Sequence, residues 1–424
     1  MNHPKIGIYA GSGTSHSWLW FVDLFENAGF YDLVFLDEFF VQNNDIKALD
    51  VLVVSGGDTF AVAQSLGKKG GRNIKSFVEQ GGVYIGSCAG AYLPMKSSQK
   101  PLDWFNFVDV KITNLSKLFP SAEVQTCKSC AAYGYDFVFH PVREAVSLKT
   151  TSFFDKGRSS VFKAPLYGGP GMKAHDPSWV LAVYEGFTPK TAFFTTSEIA
   201  EKTLLGNGAV VRVPLKQGCF YLLGPHLEHP KFKQANQFII DAVIREKGMA
   251  QDPVESKNNK DSYATKEKMS GKQAKELLLC IKRELSNSRI VAGSLEFLPV
   301  QWLIGQKVYS PQKVRVYLES MWKRLRALEK NKVLIVEPGL YDRITTAAIQ
   351  ITIELRKIKQ QLDENQDSLK TATLIFDLLH VLSISFFDLY FATMFNSSGQ
   401  YHEHTNAHAL KGTTNYERVM TSES

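Results

Sequence analysis

Over the first 250 positions, short apolar runs alternate with stretches of helical periodicity, the pattern of a sheet wrapped by helices. Residues 5–10 read as a buried first strand, followed by a tight Gly-Ser-Gly loop over 11–15 that contains Gly11 and Gly13. Apolar residues at helical spacing fill 18–28, and Gly29 supplies a C-terminal stop. A second strand falls at 32–36. Residues 51–54, Val-Leu-Val-Val, form an unbroken run of the kind buried on both faces of a parallel sheet, and lead into Ser55-Gly56-Gly57-Asp58-Thr59. Helical stretches at 61–67 and 72–80 precede the next strand, which Gly81-Gly82 introduces. Strands and helices alternating at this spacing predict an α/β fold, a doubly wound, mostly parallel sheet with flanking helices. Ligands bind such sheets at the carboxyl ends of the strands, where the loops at 11–15, 55–59 and 86–90 converge.

From 108 to about 220 the pattern changes to short β-like runs and turns, ending in a strand at 218–223, a loop at 224–230 and a closing helix at 232–246. Residues 251–270 are polar and read as a linker between an α/β domain (1–250) and a C-terminal all-helical domain (271–396). Helical periodicity recurs at 272–286, 311–330, 341–363 and 368–395, and a disordered tail is expected over 397–424. No internal repeat is present. The apolar stretch 374–395 has the length of a membrane span but contains Asp377, His380 and Asp388. An aspartate near the bilayer centre costs about 2.5–3.5 kcal/mol, which favours a buried amphipathic helix.

The stretch that concentrates chemistry is Gly82-Val83-Tyr84-Ile85-Gly86-Ser87-Cys88-Ala89-Gly90. A strand that must turn into a helix within about two residues leaves the central side chain in a strained backbone region, with glycine where a Cβ would collide. Cys88 then stands clear of the sheet at a helix N-terminus, where thiolate is favoured. The competing reading is a buried structural cysteine in a glycine-rich turn. A cysteine nucleophile needs a base and a group to orient it. After the last strand, Gly224-Pro225-His226-Leu227-Glu228-His229-Pro230 offers both. His226 and Glu228, two residues apart, can project the same way and pair; His229 is the competing base. Backbone N–H groups of Ala89 and of the Gly56-Gly57 loop are the candidate oxyanion donors. Asp58 suits substrate contact or a helix N-cap.

Composition narrows the class. The 424 residues are 44% hydrophobic and 21% charged, enough for two or three cores. The net charge of +7 is spread along the chain, which speaks for a solvated surface and against a nucleic-acid partner. Five cysteines at irregular spacing make no disulfide framework, and the N-terminus shows no apolar signal segment, so a cytoplasmic protein is expected. Cys127 and Cys130 have zinc or redox spacing, but no second cysteine pair follows; ordinary free thiols are the default. His402, His404 and His408 read as solvated rather than as ligands.

The strand and glycine loop at 51–57, the elbow at 82–90 and His226-Leu227-Glu228 resemble the class I glutamine amidotransferase-like superfamily. Within it, Ile8-Tyr9-Ala10-Gly11-Ser12-Gly13-Thr14-Ser15, Cys88-Ala89-Gly90-Ala91-Tyr92 and Tyr167-Gly168-Gly169-Pro170-Gly171 are similar to the domain at the N-terminus of eukaryotic biotin–protein ligases and its stand-alone microbial relatives. The resemblance covers residues 5–247. It implies Cys88 as nucleophile, His226 as base, Glu228 as orienting acid and N–H donors at Gly57 and Ala89, with Tyr92 and the loop of Tyr167, Gly168 and Gly169 lining the pocket. No Gly-Arg-Gly-Arg type adenylate loop and no ligase catalytic domain follow Gln251, so biotinylation is not implied.

The expected activity is that of a cysteine-dependent hydrolase or amidotransferase-like enzyme acting on an amide or related acyl group of a small-molecule substrate, with no cofactor and no metal. The alternative is a non-catalytic ligand-binding or regulatory module on the same fold. The helical domain is the expected surface for a homodimer or a protein partner.

Overall fold

Four short apolar segments start the sheet: β1 (Ile6–Tyr9), β2 (Leu33–Leu36), β3 (Val51–Val54) and β4 (Val83–Ser87). β1 pairs in parallel with both β2 and β3, and β3 with β4. Between them run α1 (Trp18–Asn27), α2 (Glu38–Asn43) and α3 (Thr59–Glu79). The unbroken apolar run in β3 has the expected cause: Val51 and Val53 enter one core and Leu52 and Val54 the other, so both faces are covered. Within α3, two helical segments meet as expected at a kink, at Gly67, whose φ of 58° is not helical.

This computed structural model describes residues 4–43, 46–115, 138–151, 160–248, 266–305 and 307–416, with side chains described to 397. After the one-turn helix α4 (Ala89–Tyr92) come β5 (Val110–Ile112), β6 (Val142–Thr150), β7 (Val161–Leu166), β8 (Met172–Ala174), β9 (Val180–Phe187), β10 (Ala192–Phe193), α5 (Ser197–Leu204), β11 (Gly208–Leu215), β12 (Gly218–Leu223) and α6 (Lys233–Lys247). The spatial order is β10-β6-β9-β11-β12-β4-β3-β1-β2, with β5, β7 and β8 attached beside it. β12 lies parallel to β4, which places the loop after the last strand next to the elbow. Beyond β12 the sheet continues as antiparallel strands. The fold is the expected α/β arrangement, parallel where it carries the site, with a helical C-terminal region.

That region contains β13 (Glu267–Ser270), α7 (Gly271–Leu295), β14 (Trp302–Ile304), β15 (Lys307–Tyr309), α8 (Pro311–Glu329), β16 (Val333–Val336), α9 (Leu340–Asp363) and α10 (Leu369–Tyr416). The four helices fall where their periodicity placed them, but the region is not all-helical. β13 pairs with β16, and β14 with β15 as a hairpin. Strands of three or four residues are too short to show a two-residue period, and β13 lies within the stretch read as linker. Most of that linker and the 127/130 cysteine pair lie outside the described residues. α10 runs past residue 397, where the tail was expected to begin.

The helical region docks on α1 and β2. Phe35 of β2 meets Phe387 and Phe391 of α10 at ring-centroid distances of 5.6 and 5.9 Å, and Trp18 of α1 meets Phe387 at 5.7 Å. Arg324 of α8, 2% exposed, reaches Asp23 at 2.8 Å and Glu26 at 2.5 Å on α1. One cluster of buried side chains therefore runs from the sheet through α10. The segment Leu369–Ser397 is long and apolar enough to cross a membrane by length and composition, but 61% of its most apolar window is buried inside the protein.

Candidate active site

The elbow is built by close backbone approach. A Cβ on Gly86 would overlap the Gly90 carbonyl oxygen, and one on Gly90 the Val54 carbonyl oxygen, so only glycine lets α4 pack this tightly over β3 and β4. Cys88 consequently sits at φ 51° and ψ −105°, outside the usual regions for a side-chain-bearing residue. Such a conformation costs about 1–3 kcal/mol and persists only where surroundings hold it. Here the Cys88 N–H donates to the Leu223 carbonyl at 2.9 Å, and the Cys88 carbonyl accepts from Ala91 at 3.0 Å and Tyr92 at 3.2 Å.

β12 delivers the second half. Its terminal loop is tied down by the His226 N–H on the Pro165 carbonyl at 2.8 Å and by the Asn236 amide on the Leu227 and His229 carbonyls at 2.7 and 3.1 Å. His226 Nδ1 and Glu228 Oε1 are 2.6 Å apart, with Glu228 fully buried. The Ser87 hydroxyl lies 3.0 Å from both Glu228 carboxylate oxygens and fixes the carboxylate from the elbow side. Sequence reasoning missed Ser87, although its position beside the nucleophile was a signal.

The Cys88 sulfur lies 3.9 Å from the Tyr167 carbonyl and shares the cavity with His226. Burial pushes the Cys88 thiol up, but the hydrogen bond and charge of His226, with Lys307 adding to them, bring it below the ordinary thiol value. Burial likewise works against charge on His226; Glu228, with the sulfur, outweighs it and lifts the imidazole to about 10. The pair therefore favours thiolate facing imidazolium. Because α4 is a single turn, this support comes from His226 rather than from the helix dipole anticipated from sequence.

His229 is the weaker base. Burial and the neighbouring His226 lower it to about 4, its Nδ1 accepts the Lys231 N–H at 3.3 Å, and it packs against Trp20 at 4.5 Å.

The loops around the elbow interlock. Asp58 N–H donates to the Gly13 carbonyl at 2.7 Å and Ser15 N–H to the Gly56 carbonyl at 2.9 Å. This leaves the N–H groups of Gly57 and Ala89 without an acceptor among the described residues. Gly56 lies against the His226 ring: a Cβ there would sit 2.5 Å from Cε1.

The cavity in front of the sulfur has a volume of about 340 Å³, and Gly56, Gly57, Cys88, Tyr167 and His226 line it. Several expected residues stand behind that lining. Asp58 caps α3, its Oδ1 accepting the Ala61 N–H at 3.0 Å. Tyr92 is buried between the Gly168 carbonyl, 3.3 Å away, and Asn114, 3.0 Å away, so it shapes the Tyr167 loop instead of the pocket wall. Gly168 is required by its φ of 102° and Gly169 by packing against the Gly224 backbone. Gly11 and Gly13 belong to the latched loop and likewise do not line the cavity.

Residues without a sequence signal do line it: His16 and Trp20 near α1, Arg143 on β6, and Lys307 and Lys313 from the helical region. Among the described residues, no group of three or more His, Cys, Asp or Glu side chains is placed to hold a metal.

The sequence model of the family described as "Biotin-protein ligase, N terminal" matches residues 5–282. The chain belongs to this family. No curated protein matches the chain. Among solved structures, a β-galactosidase from Bacillus circulans sp. alkalophilus overlaps 58% of this chain and 31% of its own at 11% identity and a TM-score of 0.33. A ThuA-like protein from Bacteroides uniformis overlaps 57% of this chain and 91% of its own at 14% identity and a TM-score of 0.33. The chain thus spans less than a third of the β-galactosidase. Likeness of this degree says nothing about reaction or substrate.

Proposed function

We propose that this member of the biotin–protein ligase N-terminal family is a cysteine-dependent hydrolase or amidotransferase-like enzyme acting on an amide or related acyl group of a small molecule. The observation that carries the reading is the buried His226–Glu228 pair, 2.6 Å apart, beside a cysteine held at φ 51°. A structural cysteine has no need of a buried ion pair directed at it, nor of the strain.

The Cys88 thiolate attacks the acyl carbon and forms a C–S bond. Negative charge moves to the carbonyl oxygen, where the Gly57 and Ala89 N–H groups stabilise it. His226, charged at the start, gives its proton to the leaving amine as the C–N bond breaks. Neutral His226 then takes a proton from water, which attacks the thioester and releases the acid, restoring thiolate and imidazolium. Glu228 holds the imidazole in orientation and stabilises its charge, and Ser87 holds Glu228.

The test is an amide-turnover screen with the full chain against Cys88→Ala, combined with intact-mass detection of an acyl adduct. Cys88-dependent turnover and an adduct mapped to Cys88 support the proposal. Turnover indifferent to Cys88→Ala, or a Cys88 thiol no more reactive than a free one, refutes it.

A further inference from the structure

The cavity has two walls of different origin. One is the α/β domain: the strand-end loops and Arg143. The other is a segment of the helical region, in which Gln301, Lys307, Val308, Ser310 and Lys313 face Cys88 from the β14–β15 hairpin and the start of α8. That segment lies wholly beyond the 5–282 match.

The two walls together give the cavity one sign of charge. Among the described residues, its lining contains Arg143, Lys307 and Lys313 and no aspartate or glutamate, although the chain as a whole carries 49 basic and 42 acidic residues. Glu228 is fully buried and engaged by His226 and Ser87, and Asp58, near enough to favour charge on Lys307, stands behind the lining as the cap of α3. Lys313 has a structural duty: its ammonium donates to the Val308 carbonyl and lies 4.9 Å from the Tyr309 ring centroid, which pins the hairpin to α8. Arg143 lies 5.3 Å from the Tyr167 ring centroid, at the side of the pocket nearest the sulfur's contact with the Tyr167 carbonyl. Lys307 makes no salt bridge among the described residues, yet it is close enough to Cys88 for each to influence the other's charge. Lys307, half-buried in this small cavity, is favoured in its charged form by a ligand that brings opposite charge.

We infer that the β14–β15 hairpin completes the active site, and that the substrate bears an anionic group, carboxylate or phosphate, seated between Lys307 and Arg143 while its acyl carbon faces Cys88. The anion site stands on the cavity lining alone; only the orientation of the acyl carbon rests on the proposed nucleophile. Burial lowers Lys307, and an anion seated between it and Arg143 would favour its charged form. Lys307 is thus assigned as a specificity residue.

Two measurements on the full chain separate this assignment from the proposed reaction. In the first, Cys88→Ala and its Lys307→Met and Lys307→Arg derivatives are titrated calorimetrically with inorganic phosphate and with succinate, a reading independent of the nucleophile. The expected result is binding of at least one anion, weakened about tenfold or more by Lys307→Met and largely restored by Lys307→Arg. Absence of binding by both anions, or binding indifferent to Lys307→Met, overturns the anion site.

In the second, the chain with Cys88 intact is alkylated with iodoacetate and with iodoacetamide, and adducts are mapped by peptide. A preference of Cys88 for iodoacetate, relative to glutathione at the same pH, that falls about tenfold in Lys307→Met supports the placement of the anion beside the sulfur. Equal slowing of both reagents by Lys307→Met shows that Lys307 acts on the thiolate alone and overturns it. Anion binding without enhanced Cys88 alkylation retains the site and rejects the nucleophile.

Discussion

The two walls of the cavity are built on opposite principles. At the sheet edge, each reactive group is held by several short contacts: Cys88 by the strained elbow, His226 by Glu228, and Glu228 by Ser87. On the facing wall, Lys307 rides on a hairpin with three residues per strand, which is positioned only because the helical region docks on α1 and β2. Rigid placement suits bond making, where small displacements are costly. A charged side chain on a docked hairpin suits recognition, since a long-range charge tolerates looser placement. Under the proposed function, the difference puts chemistry on the α/β wall and selectivity on the C-terminal one.

The largest effect is expected at the rigid wall. Cys88→Ala should abolish adduct formation and lower amide turnover by about a thousandfold or more, measured by single-turnover kinetics and intact mass. A residual rate within tenfold of the unmodified chain would break the contrast at its root. Glu228→Gln should cost about a hundredfold, on the scale of a lost orienting and charge-stabilising partner. It should also move His226 from about 10 to a lower value, because burial, which disfavours the charge, then loses its main opponent. An NMR pH titration of the imidazole reads this directly.

Docking is tested next. Arg324→Met removes a buried cation from Asp23 and Glu26 and should destabilise the chain by about 2–4 kcal/mol in denaturant titration. If docking positions the hairpin, the same variant reduces the iodoacetate preference while leaving the iodoacetamide rate at Cys88 nearly unchanged.

A smaller effect is expected with pH. The folded Cys88 thiol lies below its ordinary value and His226 above its own. Alkylation of Cys88 should therefore persist below about pH 8.5, where a free thiol is protonated. The stability contributed by the His226 pairing is fully present below about 6.5, the unfolded imidazole value, and is lost as pH rises through about 10. Urea titrations across that range should show the decline, and Glu228→Gln should flatten it. The smallest effect is at Lys323, which shares Asp23 with Arg324 but is 48% exposed: Lys323→Ala should change stability by no more than about 0.5 kcal/mol.

Much of the rigid wall was legible in the order of residues, because its devices are local. An apolar run buried on both faces, a glycine-framed cysteine and a His-x-Glu pair after the last strand are each short-range patterns with one dominant structural solution. The choice between His226 and His229 was not local. It depends on which ring Glu228 reaches, since Trp20 packs against both. Tyr92 illustrates the converse: a polar aromatic beside the nucleophile reads as a pocket residue, but Asn114 and the Gly168 carbonyl hold it behind the wall.

The sequence alone determined the parallel strands, the elbow and the candidate triad, since backbone geometry over a few residues dictates them. Only the tertiary structure brought Ser87 onto Glu228, separated from it by 141 positions, and Lys307 to the mouth of the Cys88 cavity. These contacts follow from strand order and from the docking of one core on another, and neither leaves a period or a motif in the chain.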